Sequence, residues 1–227
     1  MFPSRSRLIA DLNPVTGAVA QIVLVALMHF VAASLAQCAE PTGARPPART
    51  DIQIESGYSV GNYHLFAYDD NRHILPFGVE MNHPVFGRLF RAELDYVSEA
   101  LPVVLLNEPA KYGPDGRSLT SGRKWQYGAG ISPLGFRLIW RRRGFFQPYG
   151  IAKGDILYFQ NRVLSTQGTH LQFGSEIGLG VQKAVNARLG YRVGFSDFHV
   201  SNGNIGRRNP GIDFMYFTGS LTCRLGK

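Results

Sequence analysis

A short segment toward the end of the chain concentrates the side chains that acyl transfer requires. Residues 197–213 read DFHVSNGNIGRRNPGID. His199 and Ser201 are two positions apart, so on a β-strand both side chains emerge on the same face. A hairpin turn centred on residues 205–207 predicts that Asp213 lies nearly opposite His199, where cross-strand side chains are about 5 Å apart. Such an arrangement matches the nucleophile, general base and orienting acid of a serine esterase.

The same strand face is apolar as far as Phe195, so the polar side chains that follow it are conspicuous. The apolar residues on this face are Leu189, Tyr191, Val193 and Phe195. Polar groups at the end of a lipid-facing stripe are costly unless they lie at the membrane interface and serve a purpose. By itself, this pattern is consistent both with a catalytic site and with polar residues that only line the membrane interface. Arg207 and Arg208, in the loop beside the site, are candidates for binding phosphates or sugars of a lipid substrate.

Alternating hydrophobicity with a period of two runs through the chain after residue 50 and predicts strands rather than helices. In residues 170–182 the apolar face is broken only by Ser175, and half of the opposite face is glycine. A polar, glycine-rich face suits the interior of a small outer-membrane barrel. Eight alternating segments span residues 51–67, 72–82, 86–105, 124–140, 145–156, 169–182, 186–201 and 211–225. The sequence therefore predicts an all-β fold, an antiparallel eight-stranded up-and-down outer-membrane β-barrel over residues 51–227.

The joints between these segments predict how the barrel is oriented. Short joints are expected after the first segment, around His83-Pro84, at residues 141–144 and at residues 183–185, and longer ones at residues 106–123, 157–168 and 202–210. Outer-membrane barrels have short periplasmic turns and longer outer loops. With the N-terminus inside, the loop at 202–210 faces the cell exterior. A soluble, exported all-β protein is the alternative.

The N-terminal region predicts export. Arg5 and Arg7 precede an apolar run that ends at Ala36 in small residues with the spacing that a signal peptidase recognises. We therefore expect residues 1–36 to be a signal peptide, with a membrane anchor as the alternative. Residues 37–50, rich in Pro, Ala and Arg, are expected to form a disordered lead-in.

The amino-acid composition of the chain limits the classes of partner that we expect. A formal net charge of +8 suits a polyanionic surface such as phosphorylated lipopolysaccharide, and export makes nucleic acid an unexpected partner. Cys38 and Cys223 are too few for a disulfide framework, although they leave pairing open. The remaining histidines are scattered without metal-ligand spacing, so we expect neither a metal nor a cofactor. The sequence is compatible with both a monomer and a homodimer.

The motif His199-Val200-Ser201-Asn202, followed by Asn209-Pro210-Gly211-Ile212-Asp213, resembles the lipid A 3-O-deacylase family, also called PagL-like or acyloxyacyl hydrolases. Weaker similarity occurs at residues 102–107 and 147–150. The resemblance implies an integral outer-membrane barrel that is surrounded by outer-membrane lipids and whose active site faces the outer leaflet. It further implies hydrolysis of the 3-O-linked acyl chain of lipid A, which remodels lipopolysaccharide.

The same resemblance implies residue roles. Ser201 would be the nucleophile, His199 the general base and Asp213 the acid that orients the imidazole. Asn202 and the backbone N–H groups that follow it, including that of Asn204, would be candidates for the oxyanion hole. Asp213 departs from the family, which commonly has Glu at this point.

Two other functions remain open at this stage. An outer-membrane phospholipase would also place serine and histidine on the outside of a barrel. A non-catalytic barrel with a structural or adhesive role would need none of these residues for chemistry.

Overall fold

The computed structural model describes residues 50–60, 72–140 and 144–224, with only the backbone of residues 85–88. Its strands are β1 (Asp51–Val60), β2 (His73–Leu89), β3 (Ala92–Pro109), β4 (Arg123–Ile139), β5 (Phe146–Phe159), β6 (Leu171–Ala184), β7 (Leu189–Ser201) and β8 (Ile212–Arg224). Each strand pairs antiparallel with its neighbours in sequence, and β8 pairs with β1 to close the barrel. This confirms the predicted eight-stranded up-and-down barrel. The described residues contain no helix long and apolar enough to cross a membrane.

The predicted signal peptide, residues 1–36, and nearly all of the predicted lead-in, residues 37–50, lie outside the described residues. Cys38 and residues 61–71 lie outside them as well. The described part of β1 ends at Val60, so the expected extension of the first strand to residue 67 falls in the same gap.

Side chains alternate between the lipid-facing surface and the interior, as the period of two requires. On β6 and β7, Ile177 and Phe195 are exposed on the outside, whereas Glu176 and Ser196 are buried inside. An inward-facing polar residue in a barrel needs partners, and here Ser196 donates to Glu176 at 2.9 Å. The apolar outer surface is therefore balanced by a hydrogen-bonded polar interior.

Charged side chains occupy the middle of the barrel. Lys153 Nζ lies 2.8 Å from Glu99, 3.0 Å from Glu176, 3.5 Å from Glu80 and 3.7 Å from Glu55. Nearer the end that carries the long loops, the interior is apolar. That part contains buried residues of five strands and one loop: Ile74, Leu101, Val104, Leu106, Leu157, Phe159, Val163, Leu164, Phe198, Val200, Ile212, Phe214 and Tyr216.

The register of the sheet determines the tilt of the strands. From Ser201, successive partners across the barrel are Phe173, Ile156, Ile131, Ala100, Val79, Ile54, Leu221 and Tyr191. The path returns to β7 ten residues from its starting point. Eight strands with a stagger of this size tilt by roughly 40° from the barrel axis.

One predicted turn is wrong. The joint expected at His83-Pro84 lies inside β2, and the chain reverses instead at Phe90 and Arg91, which have φ angles of 50° and 63°. Proline lacks a backbone donor and is tolerated in a sheet at irregular positions. The β2–β3 register is shifted directly after Pro84, which explains how the strand continues through it.

The connections differ in length at the two ends of the barrel. Residues 110–122, 160–170 and 202–211 connect strands at one end, whereas residues 90–91, 140–145 and 185–188 connect them at the other. Long loops on the outer side and short turns on the periplasmic side are typical of outer-membrane barrels. Ser201 therefore lies at the outer end of β7.

Candidate active site

His199 and Asp213 form a close polar contact on the outside of the barrel. They are direct partners in the β7–β8 ladder, and His199 Nδ1 lies 2.7 Å from Asp213 Oδ1. Their neighbours Phe198, Val200 and Phe214 are buried in the apolar interior, so the alternation directs the polar pair outward. The Asp213 side chain is fully buried, and the His199 ring keeps 27% of its surface exposed. The carboxylate can therefore hold the imidazole while one edge of the ring stays accessible.

Ser201 lies two residues beyond His199 on the same face, at the last position of β7. Only 9% of its surface is exposed. Across the β6–β7 ladder its partner is Phe173, an apolar residue of the lipid-facing surface. Within the described residues no hydrogen bond joins the Ser201 hydroxyl to the imidazole. Hydrogen bonds between a nucleophile and its base commonly tighten only in the complex with substrate.

Asn202 braces the loop that follows Ser201. Its backbone N–H donates to Asn209 Oδ1 at 2.8 Å, and its Nδ2 donates to the carbonyl of Arg208 at 2.7 Å. Its Oδ1 accepts the backbone N–H of Asn204 at 3.0 Å. The side chain of Asn202 is buried, which such complete hydrogen bonding permits. The hydrogen bonds of Asn202 thus join the beginning of the loop to its end.

The chain turns sharply directly after this brace. Gly203 and Asn204 have φ angles of 60° and 64°, a left-handed conformation that Gly and Asn tolerate best. The Asn204 N–H is bonded to Asn202, whereas among the described residues the Gly203 N–H has no hydrogen-bond partner. That leaves Gly203 with a backbone donor two residues from Ser201.

Asn209 is a site residue to which the sequence assigned no role, although it belongs to the Asn-Pro-Gly part of the motif. Its Oδ1 accepts the N–H of Asn202, which places the amide beside the peptide that follows Ser201. Its Nδ2 makes no hydrogen bond within the described part of the chain. Arg207 and Arg208 are exposed in the same loop and form no ion pair with any described residue.

Two other outer loops support this one. A Cβ on Gly206 would lie 3.1 Å from the carbonyl of Gln167, and one on Gly116 would lie 3.0 Å from Pro210. Beside Gly116, the buried Arg72 donates to the carbonyls of Gly116 and Leu164. The three outer loops therefore touch one another next to the site.

Tyr112 anchors the base of this loop cluster. Its hydroxyl lies 3.1 Å from Glu108 Oε1 and 3.0 Å from the carbonyl of Arg162. Burial, followed by the charge of Glu108, raises the pKa of the Tyr112 hydroxyl. The phenol therefore stays protonated and keeps donating throughout the ordinary pH range.

Two polar residues beside His199 complete its surroundings. Ser175 is its partner on β6, opposite the side on which Asp213 lies. Asp197, two residues before His199 on the same face, has a buried Oδ1 without a hydrogen-bond partner in the described part of the chain. The sequence had shown Ser175 only as the break in an apolar face. The described residues contain no group of three or more His, Cys, Asp or Glu residues that could hold a metal ion.

The family model for lipid A 3-O-deacylase (PagL) matches residues 105–222, which include His199, Ser201 and Asp213. The chain belongs to the lipid A 3-O-deacylase (PagL) family. Membership, together with the closed barrel, makes it an integral outer-membrane protein of a lipid A deacylase family. No curated protein sequence matches the chain.

The chain is similar to several solved structures at low sequence identity. The outer membrane enzyme PagL is 16% identical, with a TM-score of 0.50, over 78% of this chain and 99% of that one. The outer membrane protein OprG from Pseudomonas aeruginosa is 11% identical, with a TM-score of 0.45, over 79% and 97%. Neisserial surface protein A is 9% identical, with a TM-score of 0.44, over 81% and 100%.

Proposed function

We propose that this protein is a serine esterase that hydrolyses the 3-O-linked acyl chain of lipid A. The observation that carries the proposal is the 2.7 Å contact between His199 and Asp213 on the outward face, two residues from Ser201. A carboxylate bound to Nδ1 leaves Nε2 as the ring nitrogen that accepts a proton from a nucleophile. Family membership supplies lipid A as the substrate class.

In the first half of the reaction, His199 Nε2 takes the proton of the Ser201 hydroxyl as Oγ attacks the ester carbonyl. The tetrahedral intermediate then collapses, the bond from carbonyl carbon to sugar oxygen breaks, and His199 returns the proton to that oxygen. Asp213 stabilises the imidazolium in between. This step leaves the acyl chain on Ser201 and releases the deacylated lipid A.

In the second half, His199 removes a proton from a water molecule that attacks the acyl-enzyme. Collapse of the second intermediate returns the proton to Ser201 and releases the fatty acid. No metal or cofactor takes part in this scheme.

The oxyanion of each intermediate needs hydrogen-bond donors. The N–H of Gly203 and the Nδ2 of Asn209 are the donors we assign. Gly203 follows Ser201 by two residues, Asn209 accepts the N–H of the residue next to Ser201, and neither donor has a partner within the described residues. Asn202 and the N–H of Asn204, which the family motif suggested, contribute by holding the loop that presents these donors.

The position of the site suits a substrate embedded in the outer leaflet. Ser201 lies at the outer end of a lipid-facing strand, so an ester near the membrane surface reaches it while the acyl chain stays in lipid. Arg207 and Arg208 are exposed in the adjacent outer loop, and guanidinium groups suit the phosphates of lipid A. We assign them to substrate binding.

Mass spectrometry of lipid A from cells that carry the parent protein or Ser201→Ala tests this proposal. We expect the parent alone to produce lipid A that lacks one acyl chain, with fragmentation locating the loss at the 3-O position. Loss from another position would overturn the 3-O assignment. Chelator-sensitive release of fatty acid from phospholipid would indicate a phospholipase, and unchanged lipids would indicate a non-catalytic barrel.

A further inference from the structure

Lys183 is a charged residue at the inner end of the lipid-facing surface. On β6 it follows a row of outward side chains from Leu171 to Val181 that is apolar except for Ser175. With a rise of about 3.3 Å per residue and a tilt of about 40°, this row spans roughly 25 Å along the barrel axis. The apolar band of an outer-membrane barrel is about 25 Å tall. Lys183 therefore lies at the depth of the phospholipid headgroups of the inner leaflet.

Three aromatic rings lie around the ammonium group of Lys183. Its Nζ is 4.1 Å from the ring centroid of Phe145, 5.7 Å from that of Phe146 and 6.0 Å from that of Tyr191. Phe146 and Tyr191 are the direct partners of Lys183 on β5 and β7, whereas Phe145 belongs to the turn before β5. The lysine is thus held between aromatic side chains of two strands and a turn.

The three rings are open to the surroundings of the barrel. Phe145 is 61% exposed, Phe146 55% and Tyr191 38%. Large rings with this exposure suit the membrane interface, where aromatic side chains are enriched. A lysine in the same region packs its methylene groups against apolar surface and extends its ammonium group toward the headgroups. The rings attract this ammonium group without neutralising its charge.

The surroundings of Lys183 favour an anion from outside the protein. Within the part of the chain that the structure describes, Lys183 forms no ion pair, and its partners on both neighbouring strands are aromatic. A cationic side chain at a membrane surface attracts anionic lipid. A zwitterionic headgroup would bring an ammonium group close to Lys183, which repels it, whereas an anionic headgroup has none. The charge therefore favours an anionic phospholipid.

We infer that Lys183, Phe145, Phe146 and Tyr191 form a binding site for the phosphate of an anionic phospholipid in the inner leaflet. Lys183 contacts the phosphate, while the rings position the ammonium group and contact the apolar part of the lipid. This site lies at the opposite end of the barrel from Ser201. The inference is therefore independent of the proposed esterase activity.

The two tryptophans of the chain allow each end of the barrel to be probed separately. Trp140 follows β4 at the inner end, where its Nε1 donates to the carbonyl of Phe90 at 3.1 Å, and Trp125 lies at the outer end of the same strand. Bromine atoms on a lipid chain quench tryptophan fluorescence only at short range. Trp125→Phe therefore leaves Trp140 to report lipid binding at the inner end, and Trp140→Phe leaves Trp125 to report it at the outer end.

The full chain with Trp125→Phe is refolded into phosphatidylcholine vesicles that contain brominated phosphatidylglycerol or brominated phosphatidylcholine. We expect quenching of Trp140 to show a preference for phosphatidylglycerol of about threefold to fivefold, as attraction by one charge at a membrane surface implies. Lys183→Met, which keeps a long unbranched side chain, should bring this ratio close to one. Lys183→Arg should preserve it. Quenching of Trp125 in the Trp140→Phe protein should not respond to Lys183→Met.

Arg91→Met is the matched control, because Arg91 is an exposed cation in another inner turn and contacts no aromatic ring among the described residues. It should lower the Trp140 ratio much less than Lys183→Met does. An equal fall in both variants would indicate diffuse attraction by surface charge and overturn the site, as would a ratio that Lys183→Met leaves unchanged. A ratio of one with Lys183 intact would also overturn it, and the exposed rings would then better suit a protein partner in the periplasm.

Discussion

His199 Nδ1 lies 2.7 Å from Asp213 Oδ1, and the two residues are direct partners across the β7–β8 ladder. Direct partners have Cβ atoms about 5 Å apart, a distance that the short side chain of aspartate spans. A glutamate at this point would have one methylene more than the contact requires. The register of the hairpin therefore lets an aspartate contact His199 at a position where the resemblance implies Glu.

The first prediction concerns this carboxylate. Asp213→Asn keeps the size of the side chain but removes the charge that stabilises the imidazolium and fixes its tautomer. We expect kcat/KM for ester hydrolysis in detergent to fall on the order of 10²–10³-fold. Asp213→Glu should retain substantial activity.

Asp197→Asn is the matched control, because Asp197 lies on the same face but makes no hydrogen bond to His199. Its kcat/KM should stay within tenfold of the parent value. Full activity of Asp213→Asn at neutral pH would reduce Asp213 to a structural residue of the turn.

The second prediction concerns Ser201 and His199 as a unit. Ser201→Ala and His199→Ala should each lower deacylation by several orders of magnitude, and the double variant should lose little more, because neither residue acts without the other. Each variant should keep the electrophoretic shift between unheated and heated samples that a folded barrel shows. Activity within tenfold of the parent in either single variant would remove that residue from the mechanism.

Much of this arrangement could be predicted from the sequence. The alternation along a strand specifies which side chains share a face, and the position of a turn specifies which residues of two neighbouring strands lie opposite each other. The eight strands, the outward face of His199 and the position of Asp213 opposite it all follow from those two rules. Ser201 joins them because it is two residues further along the same strand. The residue roles remain predictions.

Other features depend on the closed barrel and could not be predicted in the same way. The turn at Phe90 was missed because Pro84 suggested a break, whereas the register shift beside Pro84 lets β2 continue. The proximity of Ser175 to His199 requires the pairing of β6 with β7. The place of Asn202 in the motif suggested that it donates a hydrogen bond to the oxyanion. The hydrogen bonds that its side chain makes within the loop are visible only in the folded structure.

The third prediction concerns that loop. Asn202→Ala removes the side-chain hydrogen bonds to Arg208 and Asn204, so the loop should open more often while the barrel stays intact. Trypsin should then cut faster after Arg207 and Arg208, which mass spectrometry of the fragments would show. We expect ester hydrolysis to fall by about one to two orders of magnitude, since loop opening displaces the oxyanion donors.

Asn186→Ala provides a control for the brace. Asn186 Oδ1 accepts the backbone N–H groups of Arg188 and Leu189, so it braces a turn in a comparable way at the opposite end of the barrel. This variant should leave cleavage after Arg207 and Arg208 unchanged. If both variants accelerated that cleavage equally, general loosening of the barrel would be the better explanation.

The fourth prediction concerns Arg207 and Arg208. Replacing each with Gln should weaken binding of phosphorylated lipid A, raising KM by roughly fivefold per arginine at low salt, as the loss of one favourable surface charge implies. Hydrolysis of an uncharged 4-nitrophenyl ester should change little. Arg188→Gln, at the inner turn, serves as the control. An equal loss on charged and uncharged substrates would show that the arginines hold the loop rather than the phosphates.

The fifth prediction concerns the barrel interior. Lys153 Nζ lies within 4 Å of Glu55, Glu80, Glu99 and Glu176, and its side chain is almost fully buried. Arg192, which binds Glu55 and Glu80, would be the nearest remaining cation after its removal. Four carboxylates would then share one positive charge in a site that water hardly reaches.

Lys153→Met should therefore lower the free energy of unfolding by about 3–5 kcal/mol, the usual cost of leaving buried charges without a partner. Urea unfolding in detergent micelles, followed by circular dichroism, measures the change. Lys111→Met, the same substitution at an exposed loop position, should cost less than about 0.5 kcal/mol. Ester hydrolysis by the folded Lys153→Met protein should stay close to that of the parent, because Lys153 faces the interior and the proposed site faces the lipid. A loss of stability below about 1 kcal/mol would show that the carboxylates neutralise one another by sharing protons, without the lysine.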